Sequence, residues 1–168
     1  METTFNVTER LRRNWTFLAV ALGVIAVDQV TKALIASLMS WGQSVPAQGI
    51  VRLTYTTNTG AAFGMFQGQT FFLTVASVVG IAAVLLYYRS LASHPPLRWA
   101  LGLILGGAAG NLIDRLVRGY VVDFVDVQLW QGYHFAVFNV ADASINIGIA
   151  LLAFFLIRGR GRTGDAAI

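Results

Sequence analysis

Four long apolar runs decide more about this chain than any single motif. They extend from about Trp15 to Leu38, Phe71 to Tyr88, Trp99 to Val117 and Asn139 to Ile157. Each approaches the roughly 20 residues that a helix needs to cross a bilayer core. Soluble domains carry about 25% charged residues, whereas here Asp, Glu, Lys and Arg make up 12% of 168 residues and apolar types 56%. A water-soluble fold of this size has too little interior to hide that surface. The chain therefore reads as mainly α and integral to a membrane: one domain over 1–168, a four-helix transmembrane bundle. Pro95 and Pro96 separate the second and third runs.

Basic residues set the orientation. Arg10, Arg12 and Arg13 precede the first run, Arg89 and Arg98 lie between the second and third, and Arg158, Arg160 and Arg162 follow the fourth. These eight of the twelve Lys and Arg fall on one side, which makes it cytoplasmic, with both termini inside. The net charge of +4 is thus a topology signal and not a nucleic-acid footprint. The first run has the basic start and apolar stretch of a cleavable signal peptide. Three further runs follow, however, and the helical pattern continues through Asp28–Lys32 without a small-residue cleavage site, so a retained span is the reading.

The segments at about 39–70 and 118–138 then lie outside. IVRLTYTTN alternates apolar and polar residues and is rich in β-branched types, as expected of a strand in a small extracytoplasmic β-sheet. An outer loop or interfacial helix is expected between spans three and four, although YVVDFVDVQLWQGYHFAVF is equally open to a strand. Trp41, Trp130 and Tyr133 suit an aromatic belt at the outer interface.

Cysteine is absent, and His94 and His134 are the only histidines. Thiol nucleophiles, disulfides and an HExxH zinc site are thereby excluded, and no metal or cofactor is expected.

The acids carry the remaining information. Asp28 lies 13 residues past Trp15, Asp114 lies 15 past Trp99, and Asp142 lies 15 before Ile157. At a rise of about 1.5 Å per residue, all three sit roughly 20–23 Å from the cytoplasmic edge. A carboxylate near hydrocarbon is expensive and is a functional candidate by default. Asp123, just beyond span three, can fold back to join them, so a shared polar pocket in the outer leaflet is expected.

Each motif also has a plainer reading. In DQVTK, Asp28 and Lys32 form an i,i+4 ion pair in the favourable order. A Ser–Lys hydrolase with Lys32 as base lacks any serine tied to it. In NTGAAF, Asn58 and Gly60 suit a turn or a surface gripping an extended peptide. In GGAAGNLIDR, Gly106, Gly107 and Gly110 permit close helix contact, while Asn111, Asp114 and Arg115 belong to a polar network or touch substrate. Asp114 and Arg115 point about 100° apart on a helix and need other partners, such as Asn139 or a substrate carbonyl. In VVDFVDV, Asp123 and Asp126 face opposite ways in a strand, one to the pocket and one to solvent. In FNVAD, Asn139 is a good N-cap, and Asp142 is either a first-turn acid serving the helix dipole or a functional group.

Taken together, DQVTK, NTGAAF, GGAAGNLIDR, VVDF and FNVAD, in this order and spacing, resemble bacterial lipoprotein signal peptidase (signal peptidase II), an aspartyl protease family. Ala143 departs from the serine that many members carry after the aspartate. The resemblance implies a membrane aspartyl endopeptidase that removes signal peptides from diacylglyceryl-modified prolipoproteins, cutting before the lipidated cysteine. It implies Asp123 and Asp142 as the catalytic pair. Asn58, Gly60, Asn111, Asp114, Arg115 and Asn139 would shape the pocket or contact substrate, with Asp28 and Lys32 supporting them. The expected setting is the bacterial cytoplasmic (inner) membrane with the active site facing the extracytoplasmic side. The expected partners are the lipid-modified prolipoprotein and membrane lipids, for a monomer that binds no nucleic acid. The alternative is a small polytopic transporter or channel using the acids as ion or proton ligands. Against it, the acids gather on one side and leave no polar relay towards the cytoplasm. The GxGD motif of another intramembrane aspartyl protease class is absent.

Overall fold

The computed structural model describes residues 2–60, 67–91, 95–130 and 133–164. Helix α1 runs Glu2–Leu38, α2 Thr70–Leu91, α3 Pro95–Arg118 and α4 Val140–Gly164. Each contains a stretch long and apolar enough to cross a membrane: Trp15–Leu38, Thr70–Tyr88, Pro96–Arg118 and Val140–Arg158. These agree with the apolar runs of the sequence to within a few residues. Pro95 and Pro96 occupy the first turn of α3, where a missing amide hydrogen costs nothing.

Helix α3 is the centre of the bundle. It packs on α1, α2 and α4 and buries Leu97, Ala100 and Leu101 completely or nearly so. Helix α2 leans chiefly on α3, and Tyr88 stacks on Phe17 of α1 with ring centroids 4.2 Å apart. Phe71, Val79, Leu86, Val117 and Ile157 are among many large side chains left on the outside, as a lipid-facing surface requires.

Four strands, β1 (Ser44–Val45), β2 (Val51–Asn58), β3 (Val121–Trp130) and β4 (Tyr133–His134), form an antiparallel sheet in the order β1-β2-β3-β4. No interfacial helix forms over 121–130. The run Val121, Val122, Val125, Val127 is β-branched and favours a pleated surface. Both edges of β3 are also paired: β2 takes one, and on the other the amides of Phe135 and Phe138 donate to Val127 and Val125 oxygens at 2.8 and 3.0 Å. Leu53 pairs with Val125 but Thr56 pairs with Asp123, so β2 holds one extra residue, a bulge that sharpens the local twist.

The sheet sits on the helix ends. Val122 and Phe124 of β3 pack with Ile35 of α1. The amide of Val122 donates to Asp114 Oδ2 at 3.2 Å, tying β3 to α3. Asp123 and Asp126 do face opposite ways, but Asp126 does not reach solvent. It is 3% exposed, its Oδ2 is 2.5 Å from Arg52 Nη2, and it accepts a hydrogen bond from Thr54 Oγ1 at 3.0 Å. Arg52 stands directly opposite on β2 and covers it.

Candidate active site

The site is assembled where α1, α3 and α4 approach closely enough for their polar residues to meet. Glycine makes that approach possible. A Cβ on Gly106 would stand 2.7 Å from the Ala21 carbonyl oxygen, and one on Gly110 would stand 2.6 Å from Asp28 Oδ2. Gly107 faces the Ala141 carbonyl in the same way. The three glycines of GGAAGNLIDR therefore have the packing role read from the sequence.

Closely packed backbones bring the acids of matched depth together. Lys32 Nζ lies 2.8 Å from Asp28 Oδ2 and 3.0 Å from Asp114 Oδ2, with all three side chains fully buried. It also donates to Asn111 Oδ1 at 2.9 Å. Three acceptors thus hold the ammonium group. Asp28 Oδ1 accepts from the Ala141 amide at 2.9 Å, satisfying an orphan donor in the first turn of α4. Asp114 pairs with Arg118 one turn later and with Gln29 Nε2 at 3.2 Å. Its partners are therefore Lys32, Arg118, Gln29 and the Val122 amide, and not Asn139. Arg118 and Gln29 escaped the sequence reading, although Arg118 lies four residues after Asp114 in the same acid-first order as Asp28 and Lys32.

Asn139 caps α4. Its Oδ1 accepts from the Asp142 amide at 2.9 Å, and its own amide donates to Asp142 Oδ2 at 3.3 Å. This reciprocal pair is a capping box with aspartate in the third position. Asn139 Nδ2 donates to Asp123 Oδ1 at 2.6 Å and to Asn111 Oδ1 at 3.2 Å. Asn111 Nδ2 in turn donates to Asp142 Oδ1 at 2.7 Å. Lys32 and Asn139 both bond Asn111 Oδ1, so they fix the amide with its nitrogen toward Asp142. From β2, Asn58 Nδ2 donates to Asp123 Oδ2 at 3.0 Å while its Oδ1 accepts from the Gly60 amide at 2.8 Å. Asn58 thus forms the turn with Gly60 and also holds Asp123. The remainder of NTGAAF, 61–63, lies outside the described residues.

Asp123 and Asp142 line one cavity of about 610 Å³, a size that suits an organic ligand. Its walls are mostly apolar, with Val121, Phe135, Phe138 and Ile145 among them. Asn58, Gly60, Asn111 and Arg115 also reach it, and Arg115 Nη1 donates to Ser77 Oγ of α2 at 3.3 Å. The segment 135–138 and Asn146 also line it without having been singled out in the sequence. Burial, then the nearby charge of Asp142, pushes Asp123 up to about 7, against the hydrogen bonds of Asn58 and Asn139 and the charge of Lys32. Two carboxylates in an apolar cavity, one kept readily protonated, can move protons to and from a bound water and carbonyl. Among the described residues no three His, Cys, Asp or Glu cluster as metal ligands would.

The pattern of residues over 20–158 matches the family model described as Signal peptidase (SPase) II. The chain belongs to the signal peptidase II family. Members are aspartic-type proteases, and the four apolar helices make this one a multi-pass membrane protein. A lipoprotein signal peptidase of Symbiobacterium thermophilum is 43% identical over 144 residues, covering 83% of this chain and 94% of that protein. A lipoprotein signal peptidase of Brevibacillus brevis is 44% identical over 140 residues, covering 82% and 91%. A bacterial membrane enzyme solved by the in meso method at 2.3 Å superposes with a TM-score of 0.80 at 34% identity, covering 88% of this chain and 90% of that one.

Proposed function

We propose that this protein removes the signal peptide from diacylglyceryl-modified prolipoproteins, cutting just before the lipidated cysteine, with Asp123 and Asp142 as the catalytic pair. The observation that carries the assignment is that both carboxylates line one cavity while asparagines fix their orientation: Asn58 and Asn139 hold Asp123, and Asn111 and Asn139 hold Asp142. The pair shares a proton, because two close carboxylates in apolar surroundings do not both ionise cheaply. The ionised member takes a proton from water as it attacks the scissile carbonyl. The protonated member donates to the carbonyl oxygen and later to the leaving amine. The pair titrates as a unit, so the proton belongs to both.

In this reading Arg115, which lines the cavity, binds a substrate carbonyl. Asn58, Gly60, Asn111, Asp114, Asn139, Asp28 and Lys32 shape and brace the site. The distribution of Lys and Arg orients the chain with both termini cytoplasmic and the cavity in the outer leaflet of the bacterial inner membrane, where a diacylglyceryl anchor resides. The same reading takes the protein as a monomer.

Asp123→Asn and Asp142→Asn, each purified folded, should lose about 10²–10⁴-fold in cleavage of a lipidated precursor. Normal turnover by either variant would remove that residue from the pair. Equal rates on precursors with and without the diacylglyceryl group would overturn the lipid requirement.

A further inference from the structure

Six polar or charged side chains reach the cavity: Asn58, Asn111, Arg115, Asp123, Asp142 and Asn146. Five of them have hydrogen-bond partners within the protein. Asn146 has none among the described residues. It stands exposed on the membrane-spanning part of α4, flanked by Ile145 and Ile147. An unpaired carboxamide on the wall of a mostly apolar cavity at membrane depth is costly, and helix propensity gives it no reason to be there. Its position is specific: four residues after Asp142, so on the same face of the helix and about 6 Å further from the outer surface.

We propose that Asn146 is a substrate-positioning residue whose carboxamide binds the backbone of the signal peptide about two residues before the scissile bond. The inference rests on the function proposed above. If the scissile bond lies at Asp123 and Asp142, the signal peptide continues from there toward the cytoplasm, along α4. An extended chain advances about 3.3 Å per residue, so about 6 Å corresponds to two residues. The partner must then supply a donor and an acceptor side by side. A peptide unit does so, and a carboxamide complements it with Nδ2 donating to the carbonyl and Oδ1 accepting from the amide. A lipid ester offers only acceptors.

The test compares wild-type protein with Asn146→Leu, a change of similar size on an exposed position, using two lipidated precursors. One is unmodified. The other carries an N-methyl group on the peptide nitrogen two residues before the cut. On the unmodified precursor the variant should show KM raised about three- to tenfold at unchanged kcat, the effect of losing about one hydrogen bond. N-methylation should raise KM for the wild type and add nothing further for the variant. An unmoved KM would overturn the proposal, as would losses that simply multiply. So would a variant effect that vanishes when the glyceryl esters become ethers, which would move the contact to the lipid. A change in oligomeric state with KM unaltered would instead make Asn146 an interhelical bond between copies, and would also overturn it. A wild-type protein inactive on the lipidated precursor would reject the functional reading itself, before the variant is compared.

Discussion

Asp142 meets two demands with one side chain. Its Oδ2 accepts from the Asn139 amide and closes the start of α4, while Oδ1 accepts from Asn111 and the residue lines the cavity. The cap that the sequence offered is present, and its geometry leaves the carboxylate on the cavity wall, where the proposed role needs it. Asp123 differs, being held by side chains alone, and this makes its titration adjustable. Asn58 donates to Asp123 Oδ2 and so favours its charged form. Removing that donor leaves the proton held more tightly. In the proposed mechanism the shared proton must be present, so activity falls as pH rises through the range near 7 where Asp123 titrates. Asn58→Leu should therefore move the alkaline limb of kcat/KM to higher pH. A limb that stays put or moves to lower pH would show that Asn58 does not tune the pair.

Among the elements, the four helices were legible because each buries or exposes a near-continuous apolar run, and length alone identifies a span. Helical rise also placed Asp28, Asp114 and Asp142 at one level, and the bonds of Asp28 to the Ala141 amide and of Lys32 to Asp114 realise that level. Partners that come from another element were harder to read. Asp126 looked solvent-facing because nothing local shows that Arg52 stands across from it. Gly102 and Gly148 passed unnoticed, although an added Cβ would stand 3.0 Å from the Phe17 carbonyl oxygen and 2.7 Å from that of Ala100, because which helices touch is a property of the bundle. The α3–α4 contact can be tested at Gly107. A side chain there would press on the Ala141 carbonyl, which is backbone and cannot turn aside. Gly107→Val should cost about 1–3 kcal/mol, or more, by overpacking, seen as a lower unfolding temperature in detergent. Gly80→Ala on α2, where nothing lies within 4 Å of the added carbon, should be nearly neutral. Equal behaviour of the two variants would contradict the close approach.

At the scale of the molecule, one buried cluster joins everything that the proposed chemistry needs. Asp28 and Lys32 come from α1, Asp114 and Arg118 from α3, and the acceptors reach the first turn of α4 through Ala141 and the start of β3 through Val122. Two carboxylates face two cations, so the cluster is neutral as a whole. Neutrality does not make it a source of stability, because desolvating Asp28, Lys32 and Asp114 fully and Arg118 in part offsets most of their attraction. What it supplies is a joint that fails if one member is removed. Lys32→Met leaves Asp28 and Asp114 short of a buried cation, and should cost about 3–5 kcal/mol in unfolding stability. Lys32→Met with Asp28→Asn restores the balance of one acid against one base, and the asparagine oxygen can still accept from the Ala141 amide. The double variant should therefore unfold at a higher temperature than the single one, a coupling opposite in sign to additive damage. If the second substitution instead lowers stability further, the cluster acts through individual contacts and not through its charge balance. The neutral double variant still lacks the ammonium group that fixes Asn111, so it should recover folding without recovering full cleavage activity. Those two readouts separate the joint of the fold from the orientation of the site.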